Sequence, residues 1–208
     1  MNKIINIDTD IVIVGSGIAG LYSALNIPEK YSITIVTKKA LEDSNSALAQ
    51  GGICVSKGEY DIKPYIEDTL KAGKYENDID AVTALVNESK ENVDKLIEYG
   101  VDFDKQHGEL CYTKEAAHST NRILHVKDET GRYIMESLCE KIKLRKNTFI
   151  LENGDVINLF IDPISVLFGL CNILFSGNIS YLPYTIFFAS TFSYIFVAML
   201  PYILLKDK

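Results

Sequence analysis

The first apolar run of the chain, Asp10–Val14 (DIVIV), is β-branched and ends at a glycine, which predicts a buried parallel strand. Leu21–Leu25 follows as a helix that stops ahead of Pro28, and Ser32–Thr37 (SITIVT) predicts a second strand. A helix is expected over Tyr60–Ala72, ending near Gly73. A better one covers Asp78–Tyr99, where Ile79, Val82, Leu85, Val86, Val93, Leu96 and Ile97 recur on a 3.6-residue period. Asp78 suits its N-cap and Gly100 its C′ position, and Glu88, Glu91 and Asp94 read as its solvated face. Gly131–Lys143 is another amphipathic helix, with Ile134, Leu138 and Ile142 inward, and Thr148–Leu151 and Val156–Ile161 read as strands. The pattern then changes. From Pro163 to Leu205, 43 residues carry no Asp, Glu, Lys or Arg, and the aromatic and aliphatic side chains of Ser180–Leu205 go right round a helix. That stretch exceeds the roughly 20 residues needed to cross a bilayer.

Between the first strand and the first helix lies Gly15-Ser16-Gly17-Ile18-Ala19-Gly20, a G-x-G-x-x-G motif within a β-α-β unit. The three glycines do different things. Gly15 permits the tight turn, Gly17 lets a pyrophosphate approach the backbone, and Gly20 lets helix and strand pack closely. The start of the helix then faces the phosphates. The acidic residue that usually ends the second strand and binds a ribose hydroxyl is absent; the strand ends in Thr37-Lys38-Lys39. Either the ribose is held in another way, or Lys38 meets a phosphate. This argues against an ordinary NAD-dependent dehydrogenase. Further on, Ser44-Asn45-Ser46-Ala47-Leu48-Ala49-Gln50-Gly51-Gly52 is rich in small residues, as suits a segment threading along a cofactor.

The net charge of −7 argues against a general nucleic-acid binder. Four scattered cysteines without a CxxC pair read as reduced thiols of a cytosolic chain, and the N-terminus has no secretory h-region. His107, His118 and His125 fall within 19 residues, in a segment that also holds Glu115 and Arg122. It reads equally as a substrate surface or as a polar loop. The seven-residue spacing of His118 and His125 matches no metal motif, and no metal is expected.

Four stretches carry a resemblance: Gly15–Gly20; Val36-Thr37-Lys38; Ser44 to Ile53; and Thr113-Lys114-Glu115 with His118-Ser119 and Arg122-Ile123-Leu124-His125. From about Asp10 to about Ile161 the chain resembles the L-aspartate oxidases of the fumarate reductase and succinate dehydrogenase flavoprotein superfamily. The resemblance implies an α/β fold: a partial Rossmann-type FAD-binding domain over 1–161 with part of a capping region. It implies oxidation of L-aspartate to iminosuccinate in NAD biosynthesis, with oxygen or fumarate reoxidising the flavin, in the cytoplasm. Gly15, Ser16, Gly17, Ile18, Ala19, Gly20, Lys38, Ser44, Asn45, Ser46, Ala47, Leu48, Ala49, Gln50, Gly51 and Gly52 would line FAD. Membrane-bound relatives place a histidine that bonds the flavin covalently in the third stretch. Here Ser44, Asn45 and Ser46 stand there, so the flavin is expected to be non-covalent. Glu115 matches the acidic residue that faces the substrate amine, since an ammonium needs a nearby anion. Ala116-Ala117 replace the family's usual Gly-Gly.

The family continues for several hundred residues beyond Ile161, with further catalytic groups, so this chain is expected to be inactive alone. Residues 162–208 are expected to form an apolar helical tail. One reading makes it a membrane hairpin turning at Gly177-Asn178; the other, which we favour, makes it an out-of-frame extension. A membrane-tethered non-catalytic fragment and a fumarate reductase-type fragment are the alternative functions.

Overall fold

In the computed structural model, residues 6–115, 117–157, 187–188, 196–198 and 205–207 are described. In chain order the strands are β1 (Ile11–Val14), β2 (Ile33–Val36), β3 (Ile53–Cys54), β4 (Lys105–Gln106), β5 (Glu109–Leu110), β6 (Ile123–Leu124), β7 (Thr148–Leu151), β8 (Gly154–Val156), β9 (Phe187–Phe188), β10 (Phe196–Ala198) and β11 (Leu205–Asp207). The helices are α1 (Ile18–Asn26), α2 (Glu59–Ala72), α3 (Ile79–Glu98) and α4 (Thr130–Leu144). Two compact units result: residues 1–44 with 138–208, and residues 45–137.

The first unit is built on a sheet of order β7-β2-β1-β10-β9. β1, β2 and β7 run parallel, with Ile11 opposite Ile33, Val14 opposite Val36, and Val36 opposite Leu151. β1 and β2 are unbroken β-branched runs because both are covered on each face: Ile11, Val12, Ile13, Ile33, Ile35 and Val36 are all buried. Thr34 is buried in the same strand, and its hydroxyl has no hydrogen-bond partner among the described residues. The β-α-β unit expected from the sequence is therefore present. α1 begins three residues earlier than the apolar pattern indicates, because Ile18, Ala19 and Gly20 of the glycine motif already belong to it.

In the second unit α2 and α3 pack through Tyr65, Val82 and Val86, with Ile62, Ile66, Leu70 and Cys54 around them. Asp78 caps α3 as expected: its carboxylate accepts from the amides of Asp80 and Ala81 at 2.9 and 3.0 Å. The other end closes as a Schellman turn. Gly100 takes φ +109°, its amide donates to Ile97, and the Val101 amide donates to Leu96.

The strand near Val156 lies earlier than expected, at Gly154–Val156, and residues 158–161 of that expectation lie outside the described residues. The membrane helix and its turn at Gly177-Asn178 also lie outside them. The described pieces of the 162–208 segment are extended: β10 pairs antiparallel with β1, and β11 with β8. Among the described residues no helix is long and apolar enough to cross a membrane.

Candidate functional site

β1 delivers the chain to Gly15, which turns at φ +105° while its amide donates to the Val36 carbonyl at 2.8 Å. α1 starts against that turn. A Cβ on Gly20 would lie 2.3 Å from the Gly15 carbonyl oxygen, so only glycine allows the approach. Gly17 is the N-cap, extended at φ −68° and ψ 174°, and supplies no side chain to the first-turn amides. No acidic residue lies in that first turn, so no carboxylate of the turn meets the positive end of the helix dipole. Ser16 is buried, and its hydroxyl shares a 2.9 Å hydrogen bond with the hydroxyl of Thr37 at the end of β2. Thr37 thus holds the turn from the position where dinucleotide folds usually carry an acid. Lys38 beside it is largely exposed, with Asp155 3.8 Å away.

Ser44 closes the N-terminal portion of the first unit, and the rest of the small-residue stretch belongs to the second. Asn45–Leu48 forms one 3-10 turn with no buried residue, and Ala49, Gln50 and Gly51 are exposed. Leu48 is 76% exposed, unusual for a leucine beside so many small residues. The backbone is held from behind. The Gly131 amide, at the start of α4, donates to the Ala49 carbonyl, and a Cβ on Gly131 would strike the Ser46 carbonyl at 2.1 Å. A Cβ on Gly52 would meet Ile123 and the Leu124 carbonyl at 2.3 and 2.4 Å. Open space lies where a side chain would stand on Gly15 or Gly51. The glycine turn at the start of α1 is the backbone arrangement that lets a dinucleotide's phosphates approach.

The third candidate region, Thr113–His125, divides sharply. Glu115 is exposed, and no cation pairs with it among the described residues. Arg122 is fully buried, and is not a surface ligand. Its Nη2 and Nε donate to Asp61 at 2.7 and 3.3 Å, and its Nη1 donates to Asp68 at 2.5 Å. The same Nη1 lies 3.0 Å from His118 Nδ1. A guanidinium only donates, so His118 accepts there and its proton sits on Nε2, 3.2 Å from the Cys54 sulfur. Burial alone would raise both carboxyls, but it is outweighed. The Ser119 amide and Arg122 hold Asp68 down at about 2, and Arg122 with the Lys57 amide holds Asp61 below the usual range. Burial pushes the Cys54 thiol up. His125 Nδ1 is buried without a hydrogen-bond partner among the described residues. Among the described residues no group of three or more His, Cys, Asp or Glu side chains is placed to hold a metal.

Sequence reasoning therefore finds Arg122 and His118 but not their partners. Asp61 and Asp68 lie in register with buried Tyr65, at positions i, i+4 and i+7 of α2, and that register was the available signal.

Residues 10–171 match the FAD binding domain family. The chain is 49% identical over 151 residues to an L-aspartate oxidase of Clostridium perfringens, covering 73% of this chain and 34% of that protein. It is 45% identical over 165 residues to an L-aspartate oxidase of Clostridium acetobutylicum, covering 79% and 38%. The chain thus spans about a third of the length of the curated relatives it matches. Among solved structures, E. coli quinol fumarate reductase FrdA is similar at TM-score 0.72 and 20% identity, over 76% of this chain and 28% of that one. At that identity the likeness shows the fold alone.

Proposed function

The chain belongs to the FAD binding domain family, and we propose from that premise that it is the FAD-holding N-terminal portion of an L-aspartate oxidase. The observation that carries the reading is the 49% identity to a curated L-aspartate oxidase. Bound FAD supplies the acceptor for the hydride leaving the substrate Cα. The protein's part is binding and orientation. Gly15–Gly20 receive the pyrophosphate at the start of α1, with Thr37 bracing Ser16 and Lys38 offering a cation nearby. Ser44–Gly52 follow the cofactor, and exposed Leu48 gives it an apolar contact. Binding is non-covalent, since no histidine lies in Ser44–Gly52. Glu115 offers its carboxylate to the ammonium of L-aspartate, which distinguishes this substrate from dicarboxylates without an amine. Iminosuccinate is the product, destined for NAD synthesis, and oxygen or fumarate takes the electrons.

These residues bind but do not complete the chemistry. The reaction also needs a group placed to move a proton from the substrate, and none of the binding residues named above does this; general acid–base catalysis is worth about 10²–10⁴-fold. This chain alone is therefore inactive as an oxidase. The test is flavin released from the purified chain, with a parallel peroxide assay. FAD retention by the wild type, its loss in Gly17→Val, and no aspartate-dependent peroxide are expected. Equal FAD retention in both proteins would overturn the cofactor assignment.

A further inference from the structure

Two carboxylates of α2 grip the segment that carries Glu115. Asp61 and Asp68 are seven residues apart and so lie on one face of the helix. Asp68 Oδ2 accepts from the Ser119 amide and hydroxyl, each at 2.7 Å, and from Arg122 Nη1. Asp61 accepts from Arg122 Nε and Nη2 and from the Thr120 hydroxyl. All these bonds fall C-terminal to Glu115. On the N-terminal side, Thr113 and Ile123 exchange backbone bonds at 2.9 and 3.1 Å, closing the base of the loop. Within the loop the His118 amide donates to the Glu115 carbonyl at 3.2 Å. Glu115 itself stays exposed.

We propose that Asp68, acting through Ser119 and Arg122, is a positioning residue that presents Glu115 to the substrate ammonium. The inference rests on the reading of Glu115 as the ammonium's partner. An exposed glutamate on an unheld loop would lose backbone and rotamer freedom each time it bound a cation. The clamp removes that cost beforehand. Its benefit reaches only ligands that carry an ammonium, because a dicarboxylate without one gains nothing from Glu115.

That asymmetry separates positioning from mere stability. The FAD-loaded chain is titrated calorimetrically with L-aspartate and with succinate, for the wild type, Glu115→Gln, Asp68→Asn and Ser119→Ala, with circular dichroism to confirm folding. The wild type prefers aspartate, and Glu115→Gln lowers that preference by about tenfold, the size of one charge-assisted hydrogen bond. Asp68→Asn lowers it by a similar factor while leaving succinate within about twofold, and Ser119→Ala shifts it the same way by less. Should Asp68→Asn fail to fold, Ser119→Ala decides alone, since it leaves the Arg122 ion pairs intact. Clamp variants as selective as the wild type, or equally weakened toward both ligands, would overturn the positioning role. A wild type with no preference or no binding, or Glu115→Gln matching the wild type, would instead remove the reading of Glu115 and the proposal with it.

Discussion

Replacing Arg122 by leucine tests whether the buried ion triad is a structural requirement of the second unit. Arg122 has no exposed side-chain area, Asp61 1% and Asp68 13%. Leucine keeps much of the volume but leaves two carboxylates without their cation. Breaking a buried pair from one side costs about 3–5 kcal/mol, against a typical domain stability of about 5–15 kcal/mol. The cost has a pH signature. In the wild type both carboxyls are depressed, Asp68 to about 2, so their stabilisation is complete above the unfolded value of 3.8. It is lost as pH falls from there through about 2, and for Asp68 amounts to about 2 kcal/mol. In Arg122→Leu the cation is gone, and only the hydrogen bonds from Ser119 to Asp68 and from Lys57 and Thr120 to Asp61 still oppose burial, which raises a carboxyl. Protonation then relieves the variant at a pH where the wild type is still fully charged. Urea unfolding at pH 7 and pH 4 reads this directly. The wild type should exceed the variant by about 3–5 kcal/mol at pH 7, with a smaller gap at pH 4. A gap below about 1 kcal/mol at pH 7, or one of equal size at both values, would refute the argument.

Three further outcomes follow from other parts of the structure. Gly20→Ala places a methyl 2.3 Å from the Gly15 carbonyl, so α1 must move off the turn; FAD retention after gel filtration should fall well below that of the wild type. Thr34→Val removes a buried hydroxyl that has no partner among the described residues and keeps the shape; thermal melting should show a gain of about 1 kcal/mol, and a loss would mean that the hydroxyl is satisfied in solution. Asp78→Ala deletes the α3 cap that serves two amides and should cost about 1 kcal/mol in urea titration, with the slope unchanged.

What was legible in the sequence was whatever local rules decide. The β-α-β unit could be read because β1 and β2 are buried on both faces and so appear as continuous apolar runs around a glycine motif. α3 could be read because its period, its Asp78 cap and its Gly100 terminator all agree. The segment after Pro163 was harder. An apolar run without period is compatible with a buried helix, a membrane helix or a strand, and periodicity cannot choose among them. Phe196–Ala198 is extended because β1 offers it a ladder of backbone bonds, a partner that lies far away in sequence.

The site divides along the same line, and Arg122 shows why. In the sequence it stands with Glu115, His118 and His125, in a polar segment where each residue has an equal claim to touch a substrate. What separates them is burial, and burial here is decided by α2, more than fifty residues earlier. A charged residue can be buried only where its partners are buried with it. The question for Arg122 was therefore never local: it required two acids on the inward face of another helix, and Asp61 and Asp68 look like ordinary solvent-facing residues until Tyr65 between them is seen to be core. Glu115 has the opposite signature, exposed and without a cation among the described residues. A polar residue whose charge is already answered within the fold has little left to offer a ligand, whereas one left unanswered on a held loop retains its full charge for binding. By that criterion Arg122 is an internal fastener of the segment, while the charge of Glu115 is left unanswered among the described residues.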